Sequence, residues 1–297
     1  MELHQLRYFC SVALTGSFTK AAAQEGIAQP SLSQQIDKLE RTIGARLFDR
    51  LGRSLKLTEA GQTLLPQAVE ILRMVYGAQN KLRSLRHGVG GRLVVGCIPT
   101  IMPYFLAPRV SGFVSQYPEV QLRLVEDITP ALFSLLQTGE IDLAIVSPPV
   151  LNPELVCSEL FREPILVAVG RQHKYANAPS IKLPDLESEK LLLLKEGHCF
   201  RDSALTVCTR AKTSFVSIFE TNQFSSILPL VSAGFGISLV PEMAAQEQSG
   251  CSFLRLEREA HRRVGYVRVR QHTLGPAQKT FIQWLRAISK ERNANSS

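Results

Sequence analysis

From Thr58 to His87 the chain repeats one pattern: Leu64, Leu65, Ala68, Ile71, Leu72, Val75, Leu82 and Leu85 recur at i, i+3/i+4 spacing. No other feature limits the fold as much. The spacing predicts one helix of about 30 residues, roughly 45 Å long at 1.5 Å per residue. A rod of that length with one apolar stripe outruns any small domain it lies on. The stripe asks for a partner helix, most simply the same helix of a second copy, with packing inside the chain as the alternative. Pro66 falls near the start, where it is either tolerated or kinks the rod. Gly88-Val89-Gly90-Gly91 then reads as a hinge. The rod therefore divides the 297 residues into a short amino-terminal part and a long carboxy-terminal one.

In the short part, Leu3, Leu6, Phe9, Val12 and Ala13 repeat at helical spacing. Ser17 stands where a helix N-cap belongs, ahead of Phe18 and Ala21-Ala22-Ala23. Gly26 permits a turn, and Pro30 suits the first turn of the next helix. There Leu32, Ile36 and Leu39 face inward. That leaves Gln29, Pro30, Ser31, Ser33, Gln34 and Lys38 at the helix start and on its outer face. Short hydrogen-bonding groups and a cation are the types that read base edges and anchor phosphates in a major groove. An ordinary polar helix face is the plainer reading. The next segment, Leu47 to Thr58, alternates around Gly52 and places Arg50, Arg53 and Lys56 on a hairpin wing able to track a phosphate backbone. Through His87 there are 12 Lys+Arg against 7 Asp+Glu, so +5 of the total +8 sits in under a third of the chain. That concentration fits a polyanionic partner.

After the hinge the periodicity changes. Leu93 to Cys97, Val120 to Val125 and Ile141 to Val146 read as strands, with helices over Pro103 to Gln116 and Pro130 to Gln137. A second run follows: strands at Ile165 to Val169, Lys190 to Leu194, Phe215 to Phe219 and Gly236 to Val240, and helices near Ser203 to Arg210 and Gln223 to Ala233. Strands near Phe253 to Leu256 and Val264 to Arg270 lead to a last helix from Pro276. The alternation predicts an α/β fold with a mostly parallel, doubly wound sheet in two lobes, and a ligand site between them at the carboxyl ends of strands. The expected domains are 1–58, a winged helix-turn-helix; 59–91, linker helix and hinge; and 92–297, a sensor. Lobe I would take about 92–163 and 269–297, and lobe II about 164–268.

Several classes are disfavoured. No apolar run approaches the ~20 residues of a membrane span. MELHQLRYFC lacks a secretory apolar region, so a cytoplasmic protein is expected, with no membrane partner. The six cysteines are scattered, with no CxxC pair and no zinc-ligand spacing. His4, His87, His173, His261 and His272 are too dispersed for a metal site, so neither metal nor cofactor is expected. No GxSxG, P-loop or dinucleotide fingerprint occurs in context, which argues against an enzyme.

Phe9, Ser17-Phe18, Ala21-Ala22, Gln29-Pro30-Ser31-Leu32-Ser33, Ile36, Leu39-Glu40, Gly44, Leu47-Phe48, Arg50 and Leu57-Thr58-Glu59-Ala60-Gly61 together resemble the amino-terminal domain of LysR-type transcription regulators. The match is dense over about sixty residues, and the remainder has that family's length and lobe order. The resemblance implies a winged helix-turn-helix on a linker helix, followed by a periplasmic-binding-protein-like sensor. It further implies a homodimer or homotetramer on double-stranded promoter DNA, acting on RNA polymerase.

Gly197-His198-Cys199-Phe200-Arg201-Asp202, followed by Cys208, resembles the peroxide-sensing, OxyR-like branch of that family. There the first cysteine is oxidised to a sulfenic acid and the second captures it as a disulfide. That resemblance assigns the redox pair to Cys199 and Cys208, and peroxide contacts to Thr100, Thr129, His198 and Arg201. His198, Arg201 and Arg210 as nearby cations, with a helix N-terminus, would favour a thiolate. If the intervening segment is helical, the two cysteines lie on the order of 10–14 Å apart, beyond the ~7 Å a disulfide allows. The alternative remains a regulator that binds a small organic metabolite between its lobes, with the cysteines as bystanders. Cys10, Cys97, Cys157 and Cys251 read as buried filler, Cys97 lying beside the expected pocket.

If the wing tracks phosphates, Arg53→Ala weakens binding to all DNA sequences alike. The slope of log K against log salt then falls by about one; an unchanged slope in a salt titration removes Arg53 from the contacts.

Overall fold

Local capping sets the first three helices of the computed structural model, which describes residues 1–49, 55–87, 90–213, 216–245 and 250–295. Helices α1 (Leu3–Thr15), α2 (Phe18–Glu25) and α3 (Gln29–Ile43) each end at a left-handed glycine: Gly16, Gly26 and Gly44. The Ser17 hydroxyl accepts from the Lys20 backbone N–H at 3.3 Å and starts α2. The apolar faces meet in a core of Leu6, Phe9, Ala21, Ala22, Leu32, Ile36 and Leu39. Strand β1 (Phe48–Asp49) pairs antiparallel with β2 (Lys56–Leu57). The Phe48 ring packs 5.4 Å from Phe9 and 5.6 Å from Phe18. Glu40 accepts from the Leu47 and Phe48 backbone N–H groups at 2.7 and 3.3 Å, tying β1 to α3.

Helix α4 (Glu59–His87) runs 29 residues and continues through Pro66. The Thr58 hydroxyl organises its start, donating to the Arg46 carbonyl at 2.6 Å and accepting from Gly61 N–H at 3.1 Å. Ala68 and Leu72 are buried in the first core. Backbone proximity groups Met1–Arg86 with Phe133–Ile141, and His87–Leu132 with Asp142–Ser297. In the first unit, the Gly139 backbone lies against Tyr76.

The second unit opens with β3 (Gly91–Cys97), a π-helical turn at Met102–Leu106, α5 (Ala107–Gln116), β4 (Val120–Glu126) and β5 (Leu143–Val146); α6 (Thr129–Thr138) lies between β4 and β5 in sequence and groups with the first unit from Phe133 onward. Strand β3 pairs in parallel with both β4 and β5. There follow β6 (Leu155–Gly170), β7 (Ser180–Ile181), β8 (Lys190–Leu194), α7 (Cys199–Arg210), β9 (Val216–Thr221), α8 (Phe224–Ser232), β10 (Ser238–Pro241), β11 (Cys251–Leu256), β12 (His261–Val269) and α9 (Pro276–Asn295).

The 16-residue β6 organises this unit. Its residues 155–164 pair antiparallel with β12, and 165–170 pair with β10 and β11. One strand therefore serves both halves. Three expectations need correction. The strand expected at Ile165 to Val169 begins ten residues earlier, at Leu155; Glu159, Arg162, Glu163 and Pro164 interrupt the apolar run and conceal its first half. The sheet is mixed rather than mostly parallel, because β6 and β12 return through it antiparallel to their neighbours. Helix α7 also starts at Cys199, four residues before the expected Ser203.

Gly61 makes the amino-terminal unit sensitive at one point. A Cβ there would stand 2.2 Å from the Leu47 carbonyl oxygen, the same oxygen that accepts from Thr58 N–H at 3.0 Å. Gly61→Ala is expected to destabilise the amino-terminal transition by about 1–3 kcal/mol through overpacking. Chemical denaturation with an unchanged midpoint would show that α4 does not press on the wing.

Candidate functional site

On α3, Gln29, Pro30, Ser31, Gln34 and Lys38 are exposed and Ser33 is half-buried, while Leu32, Ile36 and Leu39 have no exposure. Gln35 is committed inward, accepting from Gln5 at 3.2 Å with His4 Nε2 also 3.2 Å away. The outer face is thus polar and open at the residues expected to touch DNA. Lys56 is exposed on β2. Arg50 and Arg53 lie outside the described residues.

The second constellation forms where β3 ends. Thr100 is 1% exposed. Its Oγ1 accepts from Arg262 Nη1 and its carbonyl from Arg262 Nη2, each at 3.0 Å. Arg262 Nε donates to Glu163 Oε1 at 2.6 Å, and both side chains are wholly buried. The other Glu163 oxygen accepts from Met243 N–H at 2.9 Å and Arg292 Nη2 at 3.1 Å. The Arg262 guanidinium also stands 5.2 Å from the Phe200 ring centroid. Phe200 follows Cys199 and is buried against Phe224.

Gly197 lets the chain pass close to Ile128 just before α7. It adopts φ +92°, and a Cβ there would stand 2.9 Å from the Ile128 side chain. The chain therefore carries His198 past the segment Ile128–Thr129. His198 is 2% exposed and stands at the N-cap position of α7 without a side-chain capping bond; its Nε2 lies 3.4 Å from Asn222 Oδ1. Among the described residues, His198 Nδ1 and Thr129 Oγ1 are buried with no hydrogen-bond partner. Burial lowers the His198 pKa, against the opposing pull of Asn222 and Asp127, so the ring is neutral at neutral pH.

Cys199 is the partly exposed first residue of α7. Cys208 is buried among apolar side chains including Phe200 and Ala204, and burial pushes its thiol up to about 11. Nine rises of continuous helix separate the two, roughly 13 Å along the axis. All six cysteines are free thiols. Cys97 is wholly buried at the end of β3; burial, then Glu126, pushes its thiol well above the usual range while Arg262 opposes. Burial also raises Cys10, to about 12, and Cys157.

The electrostatic setting differs from the sequence reading. His198 is no cation, because burial disfavours its charged form. Arg201 Nη1 is committed to Glu220 at 2.6 Å and the Leu194 carbonyl at 2.8 Å, so its charge is matched locally. Arg210 sits at the far end of α7. The buried cation at this site is Arg262, which the sequence reading missed. The available signal was period two: Arg262 shares the buried face of β12 with Val264.

Comparison with known proteins agrees across the chain. Residues 3–62 match the family described as "Bacterial regulatory helix-turn-helix protein, lysR family", and residues 86–289 match "LysR substrate binding domain". A relative from Escherichia coli, described as "DNA-binding transcriptional dual regulator OxyR", is 32% identical over 271 residues, covering 90% of this chain and 89% of its own. The hydrogen-peroxide-bound structure of a cysteine-to-serine OxyR variant from Corynebacterium glutamicum is 30% identical, with TM-score 0.62, over 98% of this chain and 94% of its own. A full-length OxyR cysteine-to-aspartate variant from Pseudomonas aeruginosa is 27% identical, with TM-score 0.66, over 98% of this chain and 95% of its own. Among the described residues no helix is long and apolar enough to cross a membrane. A helix-turn-helix with an open polar face, followed through α4 by a domain that matches the family's substrate-binding domain, makes the chain a DNA-binding transcription regulator of the LysR family rather than an enzyme.

Proposed function

We propose that this regulator senses hydrogen peroxide at Cys199 and reports it through a Cys199–Cys208 disulfide. One observation carries the reading: Thr129 Oγ1 and His198 Nδ1 are buried without partners, His198 being the residue before Cys199. Unsatisfied buried polar atoms are costly. They suit a small guest whose every oxygen both donates and accepts. The E. coli relative is described as OxyR, and the C. glutamicum structure holds hydrogen peroxide. Thr100, Thr129 and His198 would hold the peroxide, and Arg201 would brace α7 against β8 and β9 through Leu194 and Glu220.

In the proposed chemistry the Cys199 thiolate sulfur attacks one peroxide oxygen. The S–O bond forms as the O–O bond breaks, and the departing hydroxide takes a proton and leaves as water. The Cys208 thiol then attacks the sulfenic sulfur, an S–S bond forms, and a second water leaves. The separation imposed by α7 exceeds the disulfide limit, so the bridge requires α7 to unwind. Phe200 and Cys208 would leave the core with it, which makes the helix a two-state element. At the other end, Gln29, Pro30, Ser31, Ser33, Gln34 and Lys38 would read promoter DNA, with Arg50 and Arg53 on phosphates. Pairing through α4 would build a homodimer or homotetramer that acts on RNA polymerase.

Mass spectrometry after dilute peroxide should find a peptide linked through Cys199 and Cys208. Cys199→Ser should lose the peroxide response and keep its DNA affinity. A Cys199→Ser protein that still responds overturns the assignment and favours an organic effector in the same cleft.

A further inference from the structure

We infer that Glu163, on β6, is a positioning residue that commits the Thr100 hydroxyl to donate its proton toward the peroxide; this rests on the peroxide-sensing reading above. A guanidinium carries donors only. Thr100 Oγ1, 3.0 Å from Arg262 Nη1, therefore accepts in that bond. An accepting hydroxyl turns its own hydrogen away from the donor it meets. Thr100, buried and held a second time through its carbonyl, has its hydroxyl direction set by Arg262.

Arg262 is in turn set by Glu163. The Nε–Oε1 contact is 2.6 Å between two wholly buried side chains. The second carboxylate oxygen accepts from Met243 N–H on the turn after β10 and from Arg292 on α9. Glu163 is thus anchored from two further elements, and the order of command runs Glu163 to Arg262 to Thr100. Glutamine at this position offers one accepting oxygen and an NH2 group. It leaves at least one of the three donors facing another donor, so Arg262 shifts and Thr100 is released to either role. Loosening a partner one step behind a contacting group typically costs 10–100-fold in activity at metal sites, and a loss of that order is the working scale here.

The test is a double-mutant cycle on the full chain. Sulfenate formation at Cys199 is followed by trapping with a dimedone-type probe after peroxide addition. Glu163→Gln and Thr100→Val should each slow it roughly tenfold, and the double variant should be no slower than Thr100→Val alone. Carbamidomethylation of Cys199 by iodoacetamide, which makes no use of the Thr100 proton, should stay within about twofold throughout. Losses that multiply in the double variant, equal slowing of carbamidomethylation, or a Thr100→Val protein as fast as wild type would each overturn the inference. If Glu163→Gln does not fold, Glu163→Asp replaces it in the same cycle, keeping the charge and shortening the reach. A wild type inert to peroxide sinks the sensing reading and this one together. A reactive wild type with unaffected Glu163 variants sinks only this one.

Discussion

The buried ion pair of Arg262 and Glu163 is the interaction on which the sensor unit depends. Charges taken out of water are strongly destabilising unless each is paired and hydrogen-bonded, and removing one partner of such a pair costs about 3–5 kcal/mol. Here the guanidinium uses Nε, Nη1 and Nη2, and the carboxylate meets Arg262, Arg292 and a backbone N–H. The pair joins β6 and β12 where β6 leaves its pairing with β12 for β10 and β11. The same guanidinium reaches Thr100 after β3 and the Phe200 ring on α7. One ion pair therefore ties the point where β6 changes partners to Thr100 and to the start of α7.

The amino-terminal unit was readable because its signals are local. Ser17, Gly26 and Pro30 act on their own helix ends, and Leu32, Ile36 and Leu39 follow one period. The α4 stripe was readable for the same reason. The sensor was readable only as far as its apolar runs extend. The first half of β6 was missed because polar residues break its apolar run, one of them, Glu163, buried only through its pairing with Arg262, while its partner strand, β12, lies about a hundred residues away. Arg262 was missed because its meaning comes from Glu163 and Thr100, 99 and 162 positions distant.

The same limit explains the charges assigned near Cys199. A sequence shows His198 and Arg201 as neighbours of the thiol, but neither its burial nor its partners. Burial neutralises the histidine, and Glu220 matches the arginine. The cysteines separate along the same line. Cys10, Cys97, Cys208 and Cys251 are buried, whereas Cys199 at the head of α7 and Cys157, expected to be buried, are both partly exposed. Adjacency along the chain drew attention to the segment around Cys199, and only three-dimensional packing reveals the electrostatics there.

A strand that starts in one half and finishes in the other has an evolutionary corollary. Sliding β6 by a single residue would move every side chain along its 16 positions to the opposite face of the sheet at once, in both halves. Insertions and deletions are thereby barred from the crossing, and loops at strand ends are left as the places where length can drift.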